Sequence, residues 1–159
     1  REARRENQIP DLLGGHAVWR IDALLAGLLE QLLARQAAAV IAGAPDGFEV
    51  LSGDDELTLP MMGVGGSGVI SVASHVAGPL MRQMVDAAAA GDHTTALSLH
   101  LRLLPLFKAL FMTSNPIMVK DALGQLGFPV GTCRLPLVPP TPDQSAELGR
   151  VLEHLGLLP

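Results

Sequence analysis

The stretch that decides the fold is "GFEVLSGDDELTLPMMGVGGSGVISV", residues 47–72. Its first part, Phe48 to Ser52, is a short apolar run followed by a glycine and two aspartates, a pattern typical of a buried strand that ends in a loop. Its last part, Gly68 to Val72, is a β-branched run with the composition of a second strand. The intervening segment has helical character. The sequence therefore predicts a strand–helix–strand unit with two parallel strands.

The glycines between these strands match the pattern of a dinucleotide-binding loop, because Gly63, Gly65 and Gly68 have the spacing G-x-G-x-x-G. In that fingerprint a strand precedes the glycines and a helix follows them, so that the pyrophosphate lies on the N-terminus of the helix. Here the predicted order is inverted, with the helical segment first and the strand second. The pattern therefore indicates a glycine-rich turn from helix to strand, and no NAD site is predicted.

Helical periodicity dominates the rest of the chain. Apolar residues recur at three-and-four spacing from Val18 to Ile41, which predicts an amphipathic helix that Gly43 and Pro45 end. Four more helical segments follow the second strand. Turn-forming residues separate these four segments, at Gly91-Asp92, Asn115-Pro116 and Pro139–Pro142. The predicted order is helix, strand, helix, strand and four helices, which is an α/β chain.

Composition excludes several classes of function. Hydrophobic residues make up 48% of the 159 residues and charged residues 17%, which argues against disorder. The net charge is −5 and no basic patch occurs, so nucleic acid is not predicted as a partner. No apolar run reaches the ~20 residues that a membrane helix needs. Cys133 is the only cysteine, which rules out an internal disulfide and favours a reducing compartment, so we predict a cytoplasmic protein.

Four motifs in the C-terminal two thirds of the chain carry a resemblance to a known family. They are "LSGDD" at 51–55, "GVISV" at 68–72, "NPIMVK" at 115–120 and "RLPLVP" at 134–139. In this order and spacing they make residues 46–159 similar to the C-terminal part of the dihydrodipicolinate synthase family of class I aldolases. Met118 stands where that family usually has a proline.

The resemblance implies a fold and an assembly. Family members are (β/α)₈ TIM barrels with additional C-terminal helices and are usually homotetramers, so a homo-oligomer is expected. Residues 46–91 would be the last part of the barrel, including its strands seven and eight, and residues 92–159 a C-terminal helical domain. Residues 1–45 would be an atypical helical segment, rich in Ala, Leu and Arg, that lies outside the resemblance.

The resemblance also implies a chemistry. In the family a lysine forms a Schiff base with pyruvate, and the enamine attacks aspartate semialdehyde on the way to lysine; no cofactor or metal is implied. By residue-to-residue match, Ile70 corresponds to the residue whose backbone contacts pyruvate, and Gly53 lies at the strand end that lines the same pocket. Both positions agree with the rule that barrel sites lie at the carboxyl ends of strands.

The groups that perform the family's chemistry are not found in this sequence. The family's reactive lysine lies on the sixth strand, whereas the only lysines here are Lys108 and Lys120, both in predicted helices of the tail. The family's proton-donating tyrosine is also missing, because the chain has no tyrosine. We therefore assign no catalytic residue and predict that this chain by itself is inactive.

Other polar residues have simpler structural interpretations. Asp54 and Asp55 could act as an acid pair, but acids after a strand more often cap the next helix, which is the favoured interpretation. The histidines lack a third convergent ligand, so no metal site is predicted from His75, His93 and His100. Cys133 has no activating neighbour beyond Arg134 and is interpreted as inert.

Alternatives remain open for the N-terminal segment and for the function. One hypothesis is that residues 1–45 are translated out of frame; the other is a natural fusion of a new helix to a barrel remnant. The leucine-rich helix Ile21–Leu33 either packs on the strands or pairs with another copy, which would make the chain a non-catalytic oligomerisation module. A fragment of a sibling pyruvate-dependent sugar-acid aldolase is the remaining alternative.

Overall fold

The computed structural model describes residues 35–158, which form an α/β arrangement of short strands followed by helices. The first described helix, α1, covers residues 35–43. The elements that follow are β1 (Leu51–Ser52), α2 (Thr58–Gly63), β2 (Gly68–Val69), α3 (Ser74–Ala89), α4 (His93–Leu110), α5 (Ile117–Gln125) and α6 (Pro142–His154). This order agrees with the predicted strand–helix–strand unit and its four following helices.

The two strands pair in parallel, with Leu51 opposite Gly68 and Ser52 opposite Val69. Each is shorter than predicted, since the runs Phe48–Ser52 and Gly68–Val72 each contribute only two residues. Pairing with β1 ends after the N–H of Ile70. The N–H groups of Val72 and Ala73 donate to a side chain, that of Asp55, and not to β1. Apolar, β-branched composition identified the strands but could not show where their pairing ends.

The glycine-rich segment is a turn from helix to strand, as the sequence indicated. Helix α2 ends at Gly63 and β2 begins at Gly68, so no helix starts at the glycines. The φ angle of Gly65 is +107°, a backbone conformation that residues with a side chain rarely adopt. A Cβ on Gly66 would lie 2.9 Å from the carbonyl oxygen of Met61. Backbone conformation and close packing therefore explain these glycines without a bound phosphate.

The hydrophobic core lies among the last four helices. Helix α4 supplies its centre with Leu103, Leu106, Phe107 and Leu110, each 2% exposed or less. The helices around it contribute Met81 and Met84 from α3, Met118 from α5, and Leu148 and Leu152 from α6. Val69 packs against this cluster from the sheet, so the helices support one face of the strands.

Side-chain caps fix where two of these helices begin. The Asp92 carboxylate accepts the backbone N–H of Thr95 at the start of α4, and hydrogen bonds with Thr95, from its side chain first and then its backbone, hold the pKa of Asp92 below its usual value. Thr141 and Gln144 form a reciprocal capping box at the start of α6. Both caps follow breaks that the sequence predicted.

The predicted N-terminal helix Val18–Ile41 is only partly within the described residues. Its last turns are present as α1, which ends at residue 43 beside the predicted stop at Gly43 and Pro45. The segment Ile21–Leu33, for which pairing with another copy was considered, lies outside the described residues. Among the helices of residues 35–158, none is long and apolar enough to cross a membrane.

Candidate functional site at the strand ends

The structure brings the two predicted substrate-binding residues together at one edge of the sheet. Gly53 follows β1 and Ile70 follows β2, and because the strands are parallel their carboxyl ends meet at this edge. The N–H of Ile70 donates to the carbonyl oxygen of Ser52 at 2.8 Å, which links the two strand ends directly.

One face of the sheet is buried and the other is open. Ser52 is 1% exposed and Val69 packs on the helical core, so these two side chains point toward the helices. Since side chains alternate along a strand, their neighbours point to the opposite side, and Leu51 is 44% exposed and Ile70 72% exposed. A Cβ on Gly53 would meet nothing within 4 Å. We call Leu51, Gly53 and Ile70 the open face.

A buried carboxylate holds the two loops at this edge in place. Asp55 is 2% exposed, and its Oδ2 accepts the backbone N–H groups of Val72 at 3.1 Å and Ala73 at 2.9 Å. Helix α3 starts immediately afterwards, and its N-cap is Ala73, which has no side chain that could accept a hydrogen bond. Asp55 therefore joins the β1 loop to the backbone just ahead of α3, across 17 and 18 residues of sequence, while the Ser71 hydroxyl oxygen accepts the N–H of Ser74 at the start of the helix.

This arrangement corrects the predicted role of the two aspartates. They were expected to cap the next helix, α2, but the N-cap of α2 is Leu57 and no side chain caps it. Asp54 instead accepts the N–H of Glu56 at 2.8 Å within its own turn. The local pattern was misleading because the Asp55 carboxylate accepts from Val72 and Ala73, which are distant in sequence, and not from the N–H groups of α2.

Ser52 and Thr58 tighten the same loop, a role that the sequence did not indicate. The Ser52 hydroxyl donates to the carbonyl oxygen of Asp54 at 2.7 Å, and the backbone N–H of Asp54 lies 3.2 Å from the same hydroxyl oxygen. Thr58, also buried, donates its hydroxyl to that carbonyl at 3.3 Å. A serine at the end of an apolar run was the only signal, and it is too common to predict these bonds.

Neither lysine of the chain lies on a strand. Lys108 is exposed on α4, where it lines a shallow cavity with Asp54 and Glu56. Lys120 is on α5, and its Nζ donates to the carbonyl oxygen of Thr132 at 2.9 Å. Lys120 and Cys133 line a separate cavity of about 400 Å³ between α5 and the following loop.

The histidines do not converge. His75 lies with its Nδ1 3.0 Å from the carbonyl oxygen of Val72, and His93 is the first residue of α4. His100 is half-buried beside the Phe107 ring, with 6.0 Å between ring centroids, and its Nδ1 has no hydrogen-bond partner. Burial lowers the pKa of His100, and the charge of Glu56 opposes this in part. Among residues 35–158 there is no group of three or more His, Cys, Asp or Glu that could hold a metal ion.

A parallel strand–helix–strand unit followed by packed helices places the described residues in the α/β class, in which binding positions lie at the carboxyl ends of the strands. Comparison with known proteins identifies the family. The model of the dihydrodipicolinate synthetase family matches residues 30–155, and the chain belongs to this family. The match begins ahead of residue 46, where the resemblance was first recognised, and so includes α1. Ile41 of α1 accordingly lies against the glycine turn, 3.3 Å from a Cβ built on Gly65.

Curated relatives are similar over most of this chain but over less than half of their own length. The 4-hydroxy-tetrahydrodipicolinate synthase of Moorella thermoacetica is 54% identical over 123 residues, which are 77% of this chain and 42% of the relative. That of Symbiobacterium thermophilum is 51% identical over 134 residues, 84% of this chain and 46% of the relative. The chain is therefore a fragment relative to these enzymes.

Solved structures agree with this. The dihydrodipicolinate synthase of Cyanidioschyzon merolae with lysine bound has a TM-score of 0.77 and 41% identity, covering 79% of this chain and 42% of that one. The enzyme of Acinetobacter baumannii complexed with pyruvate has a TM-score of 0.74 and 33% identity, covering 79% and 43%. The described residues thus keep the shape that the corresponding part has within a whole enzyme.

The Asp55 contacts lead to a prediction about stability. Replacing Asp55 by alanine leaves the N–H groups of Val72 and Ala73 without their acceptor, and we expect a loss of about 2 kcal/mol in unfolding free energy. Amide hydrogen exchange at these two residues should accelerate more than elsewhere. Asp54→Ala is the matched control, with an expected change within about 0.5 kcal/mol because its carboxylate is exposed. Equal effects of the two substitutions would contradict the role of Asp55.

The environment of His100 predicts a pH dependence. Its pKa in the folded chain lies below the ordinary value of 6.5, so the unfolded chain binds the proton more readily. The contribution of neutral His100 to the free energy of unfolding is therefore fully present above pH 6.5. It is lost as the pH falls through the pKa of His100 in the folded chain. Urea unfolding between pH 7.5 and 5 should show a smaller decline for His100→Gln than for the parent, with His93→Gln as control. An unchanged decline in His100→Gln would refute this assignment.

Proposed function

We propose that this chain is the C-terminal part of a 4-hydroxy-tetrahydrodipicolinate synthase and that β1 and β2 are the seventh and eighth strands of its barrel. The observation that carries the proposal is the juxtaposition of Gly53 and Ile70 at the open carboxyl edge of a parallel sheet. Support also comes from 54% identity to a synthase and from the order of the motifs along the chain. A sibling sugar-acid aldolase is not favoured, since both relatives carry the synthase name.

In this proposal the open face is one wall of a pyruvate pocket. The N–H of Ile70 already donates to the carbonyl oxygen of Ser52, so in this proposal the Ile70 backbone lies beside pyruvate without donating a hydrogen bond to it. Gly53 leaves space at the end of β1 where any side chain would project toward the substrate. The dihydrodipicolinate synthase of Acinetobacter baumannii, solved with pyruvate, is a structural neighbour that binds this substrate.

The covalent chemistry belongs to another part of the barrel. A lysine amine condenses with the keto group of pyruvate and releases water, and the resulting enamine attacks the aldehyde carbon of aspartate semialdehyde. Such an amine must lie at a strand end in a desolvated site. Lys108 and Lys120 are on helices, so this chain contributes the pocket wall and no nucleophile, and by itself it is inactive. In the whole enzyme we expect a cytoplasmic homotetramer, as is usual in the family.

The segment ahead of the family match calls for a separate explanation. Residues 1–29 contain no lysine and no family motif. We propose that they are translated out of frame, and that a "GIKEA"-like stretch containing the reactive lysine is encoded in another frame. Resequencing the coding DNA across and upstream of this segment tests the proposal. Absence of a "GIKEA"-like stretch from all three frames would favour the natural fusion.

A chimera tests the role of the strand ends. Residues 30–155 would replace the matched segment of the Moorella thermoacetica synthase, and Gly53→Ala would be introduced into the chimera. We expect the pyruvate KM to rise about tenfold or more because the methyl group occupies substrate space. Gly78→Ala is the matched control, since a Cβ there also meets nothing within 4 Å in this chain. An unchanged KM in Gly53→Ala would show that Gly53 does not line the pocket.

A further inference from the structure

A cavity of about 400 Å³ lies between α5 and the loop that joins α5 to α6. All of its walls come from residues 117–140, so it is separate from the open face at the strand ends. Its volume is within the range of small-molecule sites in proteins. We call it the α5 cavity, and the chemistry of its walls indicates what it can hold.

A glycine on α5 contributes space to this cavity. Gly124 lines it, and a Cβ built there would meet nothing within 4 Å. Its φ angle is not positive either, so neither backbone conformation nor close packing requires a glycine. Glycine within a helix costs about 1 kcal/mol relative to alanine. What the absence of a side chain provides at this position is room in the cavity.

Two half-buried side chains of opposite charge line the α5 cavity. The Nζ of Lys120 donates to the carbonyl oxygen of Thr132 at 2.9 Å, which leaves two of its three N–H donors. The Oδ2 of Asp121 accepts from Gln125 and Ser145, whereas its Oδ1 accepts no hydrogen bond from the described residues. The two charges do not pair with each other in this part of the chain. Each therefore retains capacity for a charged group of a ligand.

The loop that forms the other wall offers backbone donors. The N–H groups of Gly131, Thr132 and Cys133 donate to no acceptor among residues 35–158. The same loop is held to α5 through the bond from Lys120 to the Thr132 carbonyl oxygen. Free backbone N–H groups near an ammonium group are suited to a carboxylate. This side of the cavity therefore favours the carboxylate end of a ligand.

Much of the remaining wall is apolar. It is formed by Ile117, Val130, Pro129, Pro139 and Pro140. These side chains can cover an aliphatic group but offer it no hydrogen bond. A simple carboxylate would leave the acid in the wall unpaired, and a simple amine would leave the lysine unpaired. A ligand with both charges and an aliphatic chain matches the whole lining.

We propose that the α5 cavity binds a free α-amino acid with an aliphatic side chain. Its carboxylate lies at Lys120 and the free N–H groups of the loop, its ammonium group at Asp121, and its side chain against the apolar wall. This inference does not rest on the proposed function, because no residue of the strand ends takes part.

Occupancy of the cavity would also stabilise the helical part of the chain. The loop that forms one wall packs on the hydrophobic core through Cys133 and Leu137, and α5 supplies Met118 to the same core. A ligand that bridges α5 and this loop binds only when both are folded, so it shifts the unfolding equilibrium toward the folded chain.

The test is isothermal titration of the full chain with L-leucine. We expect saturable binding and a rise in the midpoint of thermal unfolding. Isocaproate, which is leucine without its ammonium group, and isoamylamine, which is leucine without its carboxylate, should each bind about tenfold more weakly.

Two variants with matched controls locate the binding. Gly124→Leu fills the cavity and should weaken L-leucine binding about tenfold or more, whereas Gly78→Leu on α3, where a Cβ also meets nothing within 4 Å, should leave it unchanged. Lys120→Gln should weaken binding about tenfold, because a charged hydrogen bond is lost, and Lys120→Arg, which keeps the charge, should lose less. Lys108→Gln, a change of the chain's other lysine, is the control.

The proposal would be overturned if L-leucine neither bound nor raised the unfolding midpoint. Equal affinity for L-leucine and either analogue would refute the recognition of both charges. Equal effects of Gly124→Leu and Gly78→Leu, or of Lys120→Gln and Lys108→Gln, would show that the ligand binds elsewhere.

Discussion

The arrangement of the strand ends depends on the hydrogen bonds that the Asp55 carboxylate accepts from the backbone N–H groups of Val72 and Ala73, just ahead of α3. Both donors lie just ahead of the helix, and one of them is the N–H of its N-cap residue, Ala73. A buried carboxylate from the β1 loop accepts both hydrogen bonds and thereby joins the ends of the two strands. This link fixes Gly53 beside Ile70, and it makes the start of α3 part of the same rigid unit.

Local signals were enough to predict most of the fold. Helical periodicity located α3 to α6, and the break at Pro139–Pro142 preceded α6, which begins at Pro142. The predicted order around the glycine turn, helix first and strand second, is the order in the structure. Long-range contacts were not predictable in this way. Nothing in the sequence near Asp55 indicates that its carboxylate accepts a hydrogen bond from a residue 17 positions later. The length of β2 depends on this contact, because the backbone beyond Ile70 bonds to Asp55 and not to β1.

The site was predicted through family motifs and not through chemistry of its own. Gly53 and Ile70 carry no reactive group, and what they present at the edge of the sheet is open space and backbone, which the proposed function assigns to substrate. The family match begins at residue 30 and therefore includes α1. In the proposed function, this part shapes the pocket and another part of the barrel supplies the amine.

Borohydride trapping on the isolated full chain tests this division most directly. The chain is incubated with pyruvate, reduced with sodium borohydride and analysed by intact mass and peptide mapping, with the whole Moorella thermoacetica synthase as positive control. We expect an unchanged mass for this chain and one reduced pyruvate adduct on the control. An adduct on Lys108 or Lys120 would contradict the account, because it would show that the fragment carries a Schiff-base amine of its own.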